Sequence, residues 1–204
     1  MTTLYLHLAT HVLSWAVTRG KKNVAFEVPC KGLPLELSAF VVPALKRFLS
    51  DNQLSLHDLE AVWITQGPGS LTRLRLQQTA VKALQVAAPQ ISVYGVDLID
   101  VWHQHCNIAI NAQPYGFCVD LYNGSLLLSI FDQSTNVLRQ TVACQDLSAL
   151  LKTHRVTTLF GEETHLGAIK GFVKDMVLKN ITPCTAKILS SHKDILQKRG
   201  EKIS

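Results

Sequence analysis

The residues with the most chemical potential lie in one stretch, Gln66-Gly67-Pro68-Gly69-Ser70-Leu71-Thr72-Arg73-Leu74-Arg75. Two glycines around a proline, followed by Ser and Thr at a helix start, make backbone N–H groups available to an anion or to a partner's backbone. The stretch is not a P-loop, because no Gly-Lys-Ser/Thr closes it, and not a dinucleotide fingerprint, because the third glycine is missing. A plain strand-to-helix turn with a good N-cap is the competing reading. Ser70 or Thr72 as a nucleophile would need a base and an orienting carboxylate, and the sequence places neither nearby. His103-Gln104-His105-Cys106 offers three potential metal ligands within four residues. On a helix, however, His103 and His105 point to different faces. No catalytic residue and no metal ligand is therefore assigned.

The elements that must position the loop are readable on both sides of it. Ala61-Val62-Trp63-Ile64-Thr65 has the composition of a buried strand, and Leu76 to Ala88 reads as a helix closed by Pro89. The loop thus sits at the carboxyl end of a strand, where ligands collect in open α/β sheets. Upstream, Thr3 to Ala9, Val12 to Val17 and Asn23 to Val28 form three strand-like runs with short breaks. A helix is expected from Glu36 to Leu49, with Leu37, Phe40, Val41, Ala44, Leu45, Phe48 and Leu49 at helical spacing and Pro43 kinking it or removing one backbone bond. Ser55 with Asp58 is a cap for a short turn before the next strand.

The second half repeats the order. Gly116 to Asp120, Leu126 to Phe131 and Val137 to Val142 read as three strands. Asp146 to Lys152 follows as a helix, Val156 to Phe160 as a strand and Thr164 to Val177 as a helix. A β-β-β-α-β-α order occurring twice points to internal duplication, with the boundary near residues 103 to 114, where Asn107, Asn111, Gln113 and Pro114 loosen the pattern. This divides the chain into lobes 1–105 and 106–204. The layout resembles that of the α/β actin-like ATPase superfamily (ASKHA, ribonuclease H-like), in which each lobe is a mixed sheet flanked by helices.

Composition sets bounds on function. With 204 residues, 47% of them hydrophobic, the chain can bury a substantial core. No apolar run approaches a bilayer-spanning length, and no charged segment precedes an apolar stretch at the amino terminus, so a cytoplasmic location without membrane contact is expected. Cys30, Cys106, Cys118, Cys144 and Cys184 are scattered and form no Cys-x-x-Cys pair, which reads as reduced thiols. The net charge of +5 is concentrated at one end: residues 1–164 hold twelve Lys/Arg and twelve Asp/Glu, and residues 165–204 hold eight and three. Lys187, Lys193, Lys198, Arg199 and Lys202 could face nucleic acid or an acidic partner, or could be a solvated terminal helix fraying into a tail.

Taken together, the motifs resemble those of the TsaB family, also called YeaZ, the non-catalytic subunit of the bacterial machinery that makes threonylcarbamoyladenosine in tRNA. The family's Gly-Pro-Gly-Ser-Phe-Thr-Gly-Leu-Arg signature stands here as Gly67-Pro68-Gly69-Ser70-Leu71-Thr72-Arg73-Leu74-Arg75. Val41-Val42-Pro43, Leu54 to Ala61, and Val93-Tyr94-Gly95-Val96 are similar to further family segments, and Val119-Asp120 with Gly124 resembles its second hairpin. The likeness covers about the first 130 residues well and weakens beyond them. Departures fall at nucleotide positions. His7-Leu8-Ala9-Thr10 replaces Asp-Thr-Ala-Thr, Arg73 replaces the last glycine of the signature, and Tyr122 replaces an Arg. His7, Thr10, Asp120 and Gly124 are therefore expected to be vestiges of a nucleotide site.

The resemblance implies a scaffold that dimerises with the catalytic subunit TsaD for threonylcarbamoylation of adenosine 37 in tRNA. It further implies that TsaE joins the complex, that tRNA is reached only through it, and that ATP and a metal ion belong to TsaD and not to this chain. It implies partner contact through the two helices of the first lobe, with Leu37, Phe40, Val41, Leu45, Phe48, Arg73 and Gln77 as contact candidates, against the simpler reading that these are core. The alternatives are an actin-like kinase or ATPase with its own nucleotide site, and a homodimeric interaction module.

Overall fold

The computed structural model describes residues 1–10, 12–29, 34–106, 113–121, 124–133, 135–173, 176–181 and 201–203. Cys30, Cys184, Tyr122, Asn107, Asn111 and the basic residues Lys187, Lys193, Lys198 and Arg199 lie outside the described residues.

Thr2–His7 (β1) and Ala61–Thr65 (β4) are buried at every position. Strands apolar on both faces need cover on both sides, and such strands sit in the middle of a sheet. β1 accordingly pairs antiparallel with Val12–Arg19 (β2) and parallel with β4. Outward from β2 lies Lys22–Pro29 (β3), and outward from β4 lies Ser92–Val96 (β5). Pro34–Asp51 (α1) follows β3, and Leu71–Ala87 (α2) connects the parallel pair β4 and β5. One face of this sheet packs on α1 and α2 through Leu6, Trp15, Val62, Val41, Leu45 and Leu84, all buried. The other face carries Tyr5, Ala16, Trp63 and Val96, joined by Val101 of Leu98–Cys106 (α3).

The second sheet has the same connectivity. Tyr115–Asp120 (β6), Ser125–Asp132 (β7) and Thr135–Ala143 (β8) form the meander. Leu147–Thr153 (α4), Thr158–Gly161 (β9), Glu163–Ile169 (α5) and Val177–Asn180 (β10) follow. The strand orders are β11-β5-β4-β1-β2-β3 and β10-β9-β6-β7-β8, where β11 is Glu201–Ile203. Apart from β11 they correspond strand for strand, so the repeat includes a fifth strand in each half. The chain is a duplicated α/β fold, the layout that the actin-like resemblance implies.

Several expectations shift. α2 begins at Leu71, five residues before the expected start, because Leu71, Arg73 and Leu74 are good helix formers behind the Ser70 N-cap position. The expected helix 164–177 ends at Ile169, and its final residue opens β10, parallel to β9. Gly171 follows closely and disfavours continuation. The segment around His103 is the helix α3. The chain divides into two compact units, Met1–Val101 with Cys184–Ser204, and Trp102–Pro183. The end of the expected lobe 106–204 thus joins the first unit: β11 adds antiparallel to the edge of β5, with Lys202 opposite Tyr94. That strand replaces the frayed helix end at residues 201–203.

Candidate functional site

The glycine loop is built into its own unit through backbone bonds. Gln66 N–H donates to the Val96 carbonyl at 2.8 Å, and Leu98 N–H to the Gly67 carbonyl at 2.6 Å, which ties the loop to β5 and α3. Gly67 has φ 122°, a region open to glycine, and the Gly67–Pro68 peptide is cis. Ser70 N–H donates to the Ala9 carbonyl at 3.0 Å. Gly69 lies so near that a Cβ on it would fall 2.4 Å from the same oxygen. The loop therefore seats on the β1–β2 hairpin, and the Ser70 amide, among the N–H groups read as available to an anion or to a partner's backbone, is taken by Ala9.

A buried polar network locks that seat. Gln77 is 1% exposed. Its Oε1 accepts from Leu8 N–H at 2.8 Å, and its Nε2 donates to the Thr65 carbonyl at 2.5 Å. One amide thereby satisfies the ends of β1 and β4, where the strands part and their backbone groups lose ladder partners. His7 is fully buried, with Nδ1 2.7 Å from Thr65 Oγ1 and Nε2 2.9 Å from Thr10 Oγ1. A neutral imidazole has one N–H and one lone pair, so one threonine accepts and the other donates. Burial, and then the Arg73 guanidinium, push the imidazole down to about 3. Arg73 donates through Nη1 to the Thr10 carbonyl. An acidic residue at position 7 would meet this arginine as an ion pair; histidine meets it as a neutral ring.

The structure brings together His7, Thr10, Gly67, Pro68, Gly69, Ser70, Arg73 and Gln77, with Thr72 exposed on the first turn of α2. Of the α1 candidates, Leu37, Val41, Leu45 and Phe48 are buried in the core beneath the helix, while Phe40 is 40% and Val42 58% exposed. Thr65 and Ala9 were not singled out by sequence reasoning. The signal available was a polar residue ending the apolar run 61–64.

Between α1 and α2 lies a second feature, an apolar groove of about 520 Å³. Val41, Leu45 and Leu49 line it from α1, and Ala80, Ala83, Leu84 and Ala87 from α2. Alanines at three- and four-residue intervals leave no long side chain over it, so the backbone of α2 is within reach of another helix. The spacing of Ala80, Ala83 and Ala87 is the signal that the sequence carries for this groove.

In the second unit, Asp120 ends β6 and is half-buried, and Gly124, at φ 77°, turns the chain into β7. His103 is 1% exposed, with Nδ1 2.9 Å from the Tyr115 hydroxyl and its ring stacked 4.2 Å from that of Phe131. His105 is exposed and Cys106 half-buried, so the two histidines occupy different faces of α3. Burial raises the Cys106 thiol to about 11 and the Cys118 thiol to about 12. No group of three His, Cys, Asp or Glu among the described residues is arranged to hold a metal ion.

The TsaD family model, described as tRNA N6-adenosine threonylcarbamoyltransferase, matches residues 36–162. The chain belongs to this family. Its structure is similar to YeaZ from Pseudomonas aeruginosa, with a TM-score of 0.74 at 18% identity, covering 100% of this chain and 95% of that one. At 11% identity and a TM-score of 0.54 it is similar to a Bacteroides thetaiotaomicron protein with an actin-like ATPase fold and unknown function, covering 92% and 95% of the two chains. EutJ, an ethanolamine utilization protein from Carboxydothermus hydrogenoformans, matches at 9% identity with a TM-score of 0.54, covering 93% and 88%. These identities carry the fold. Sequence comparison with curated proteins finds no match. The expected resemblance to TsaB stands as that of a divergent member. No helix among the described residues is long and apolar enough to cross a membrane.

Proposed function

We propose that this chain is a non-catalytic scaffold subunit that docks TsaD through α1 and α2 and so supports threonylcarbamoylation of adenosine 37 in tRNA. The observation that carries this reading is the open apolar groove between those two helices. A soluble domain gains by covering such a surface, and helix-on-helix packing is the simplest cover for it. The closed hairpin supports a role without chemistry. His7, Thr10 and Arg73 fill with mutual hydrogen bonds the place where a nucleotide-binding relative carries an aspartate. In this reading ATP and a metal ion belong to TsaD, TsaE joins the complex, tRNA is reached through it, and the work is cytoplasmic.

Mixing the purified chain with the TsaD of the same genome and running size-exclusion chromatography tests the reading. Co-elution at micromolar concentration is expected, and independent elution refutes it. Complementation of a strain depleted of its own TsaB tests the pathway without assuming any residue role. The kinase or ATPase alternative instead requires calorimetric Mg-ATP binding that is lost in Asp120→Ala.

A further inference from the structure

We infer that a second pocket of the first unit, on the side of α2 turned away from α1, binds a small aliphatic monocarboxylate that also carries an amide or hydroxyl group. The pocket holds about 250 Å³ between α2 and the strip formed by β4, β5 and β11. Ala80, Ala83, Leu84 and Ala87 belong to the opposite side of the helix, and none of them lines it.

The floor sets the body of the ligand. Ile64 of β4 and Val93 of β5 look toward α2, Val81 meets them from the helix, and Ile203 of β11 pairs with Val93. Ile64, Val81 and Val93 are buried, and Ile203 is half-buried. These branched side chains offer methyl and methylene contacts, and no aromatic ring is among the described lining residues to stack a flat ligand. Pockets that take drug-sized molecules run to roughly 300–1,000 Å³, so this one suits a smaller, metabolite-sized body.

The rim sets the polar groups. Gln66 ends β4 with its side chain lying across β5, where only a glycine leaves room: a Cβ on Gly95 would fall 2.3 Å from the Gln66 Cδ. Gln78 and Gln85 add two carboxamides from α2, and Lys82 stands between them. Gln77 also lines the pocket, but its amide is spent on Leu8 and Thr65. Among the described residues no hydrogen bond or ion pair engages the side chains of Gln66, Gln78, Lys82 or Gln85. Each of the three free carboxamides offers two N–H donors and an acceptor, which suits an amide or hydroxyl. Lys82 is the single charged side chain among the described lining residues. One cation matches one carboxylate, whereas a phosphate dianion would be left half-compensated. Because α2 runs back from the end of β4 toward the start of β5, Gln66 and Gln78 mark one end of the pocket and Lys82 and Gln85 the other. Glu201 takes the register position opposite Gly95, at the Gln66 end, so the ligand's charge belongs at the Lys82 end.

The test titrates the isotope-labelled full chain by heteronuclear NMR with N-acetyl-L-leucine, with its neutral methylamide and with inorganic phosphate. N-acetyl-L-leucine should give saturable shifts of the side-chain amide signals of Gln66, Gln78 and Gln85. The methylamide and phosphate should each bind about tenfold more weakly, since each lacks either the single charge or the aliphatic body. Lys82→Gln should weaken N-acetyl-L-leucine about tenfold and leave the methylamide unchanged, and Lys82→Arg should restore the acid's advantage. Lys82 is exposed, so thermal melts of both variants should match the wild type. Absence of saturable shifts with N-acetyl-L-leucine at millimolar concentration would overturn the inference. So would equal binding of the acid and its methylamide, an unchanged affinity in Lys82→Gln, or shifts centred on the α1–α2 groove. TsaD takes no part in these measurements, so their outcome stands apart from the docking reading.

Discussion

Because His7 is buried neutral, acid should destabilise this chain through one identifiable proton. An unfolded histidine titrates near its ordinary value of 6.5, whereas burial and Arg73 hold the folded ring at about 3. The folded pKa is depressed, so the unfolded chain binds this proton first and stability rises with pH across the window from about 3 to 6.5. It is fully present above that window and is lost on going down through it. Linkage over that gap gives about 2 kcal/mol of lost stability between pH 7.5 and pH 5, growing by about 1.4 kcal/mol for each further unit until the folded ring itself titrates. Urea unfolding of wild type and His7→Asn at the two pH values isolates the term. Asparagine keeps a donor and an acceptor for Thr10 and Thr65 but has no proton to gain, while the carboxylates and other histidines contribute alike in both proteins. The wild type should lose about 2 kcal/mol more than the variant. Equal losses would mean that His7 is protonated in the fold or reached by water, and the closed-hairpin argument would fail.

Gly69→Ala should cost about 1–3 kcal/mol, measured by thermal denaturation, because its Cβ must displace the Ala9 backbone. Gln77→Leu strands the Leu8 N–H and the Thr65 carbonyl away from water. That should cost about 2–4 kcal/mol in urea unfolding, far more than an ordinary helix-surface change. Cys118 should resist iodoacetamide in the native chain at neutral pH and react on unfolding, as mass spectrometry of the labelled peptides would reveal, because burial removes both access and thiolate.

The duplicated order of strands and helices was legible in the sequence because it is written in local pattern. Runs such as Ala61 to Thr65 and Leu126 to Phe131 are apolar and bounded by breaks, and α1 keeps its spacing through Pro43. The signature loop was legible for the same reason, since Gly67, Pro68 and Gly69 are adjacent. Where local signals conflict, the reading slipped: Thr164 to Val177 has helical spacing, yet Val177 gains more as the first residue of a strand beside Thr158.

The site itself was only partly legible. Gln77 could be placed on a helix near the signature, but nothing in its neighbours says that its amide turns inward to Leu8, 69 residues away. Arg73 could be recognised as a departure, but its partner Thr10 lies 63 residues off. The sequence alone determined most of the strands and helices, that their order occurs twice, and which loop carries the motif, because periodicity and turn chemistry act over a few residues. Only the tertiary structure decided which amide N–H the loop gives up to Ala9, which α1 side chains face the core, and that β11 closes the edge of β5. Those outcomes depend on which distant backbone groups lack partners once the sheets are formed, and that is a property of the packed chain.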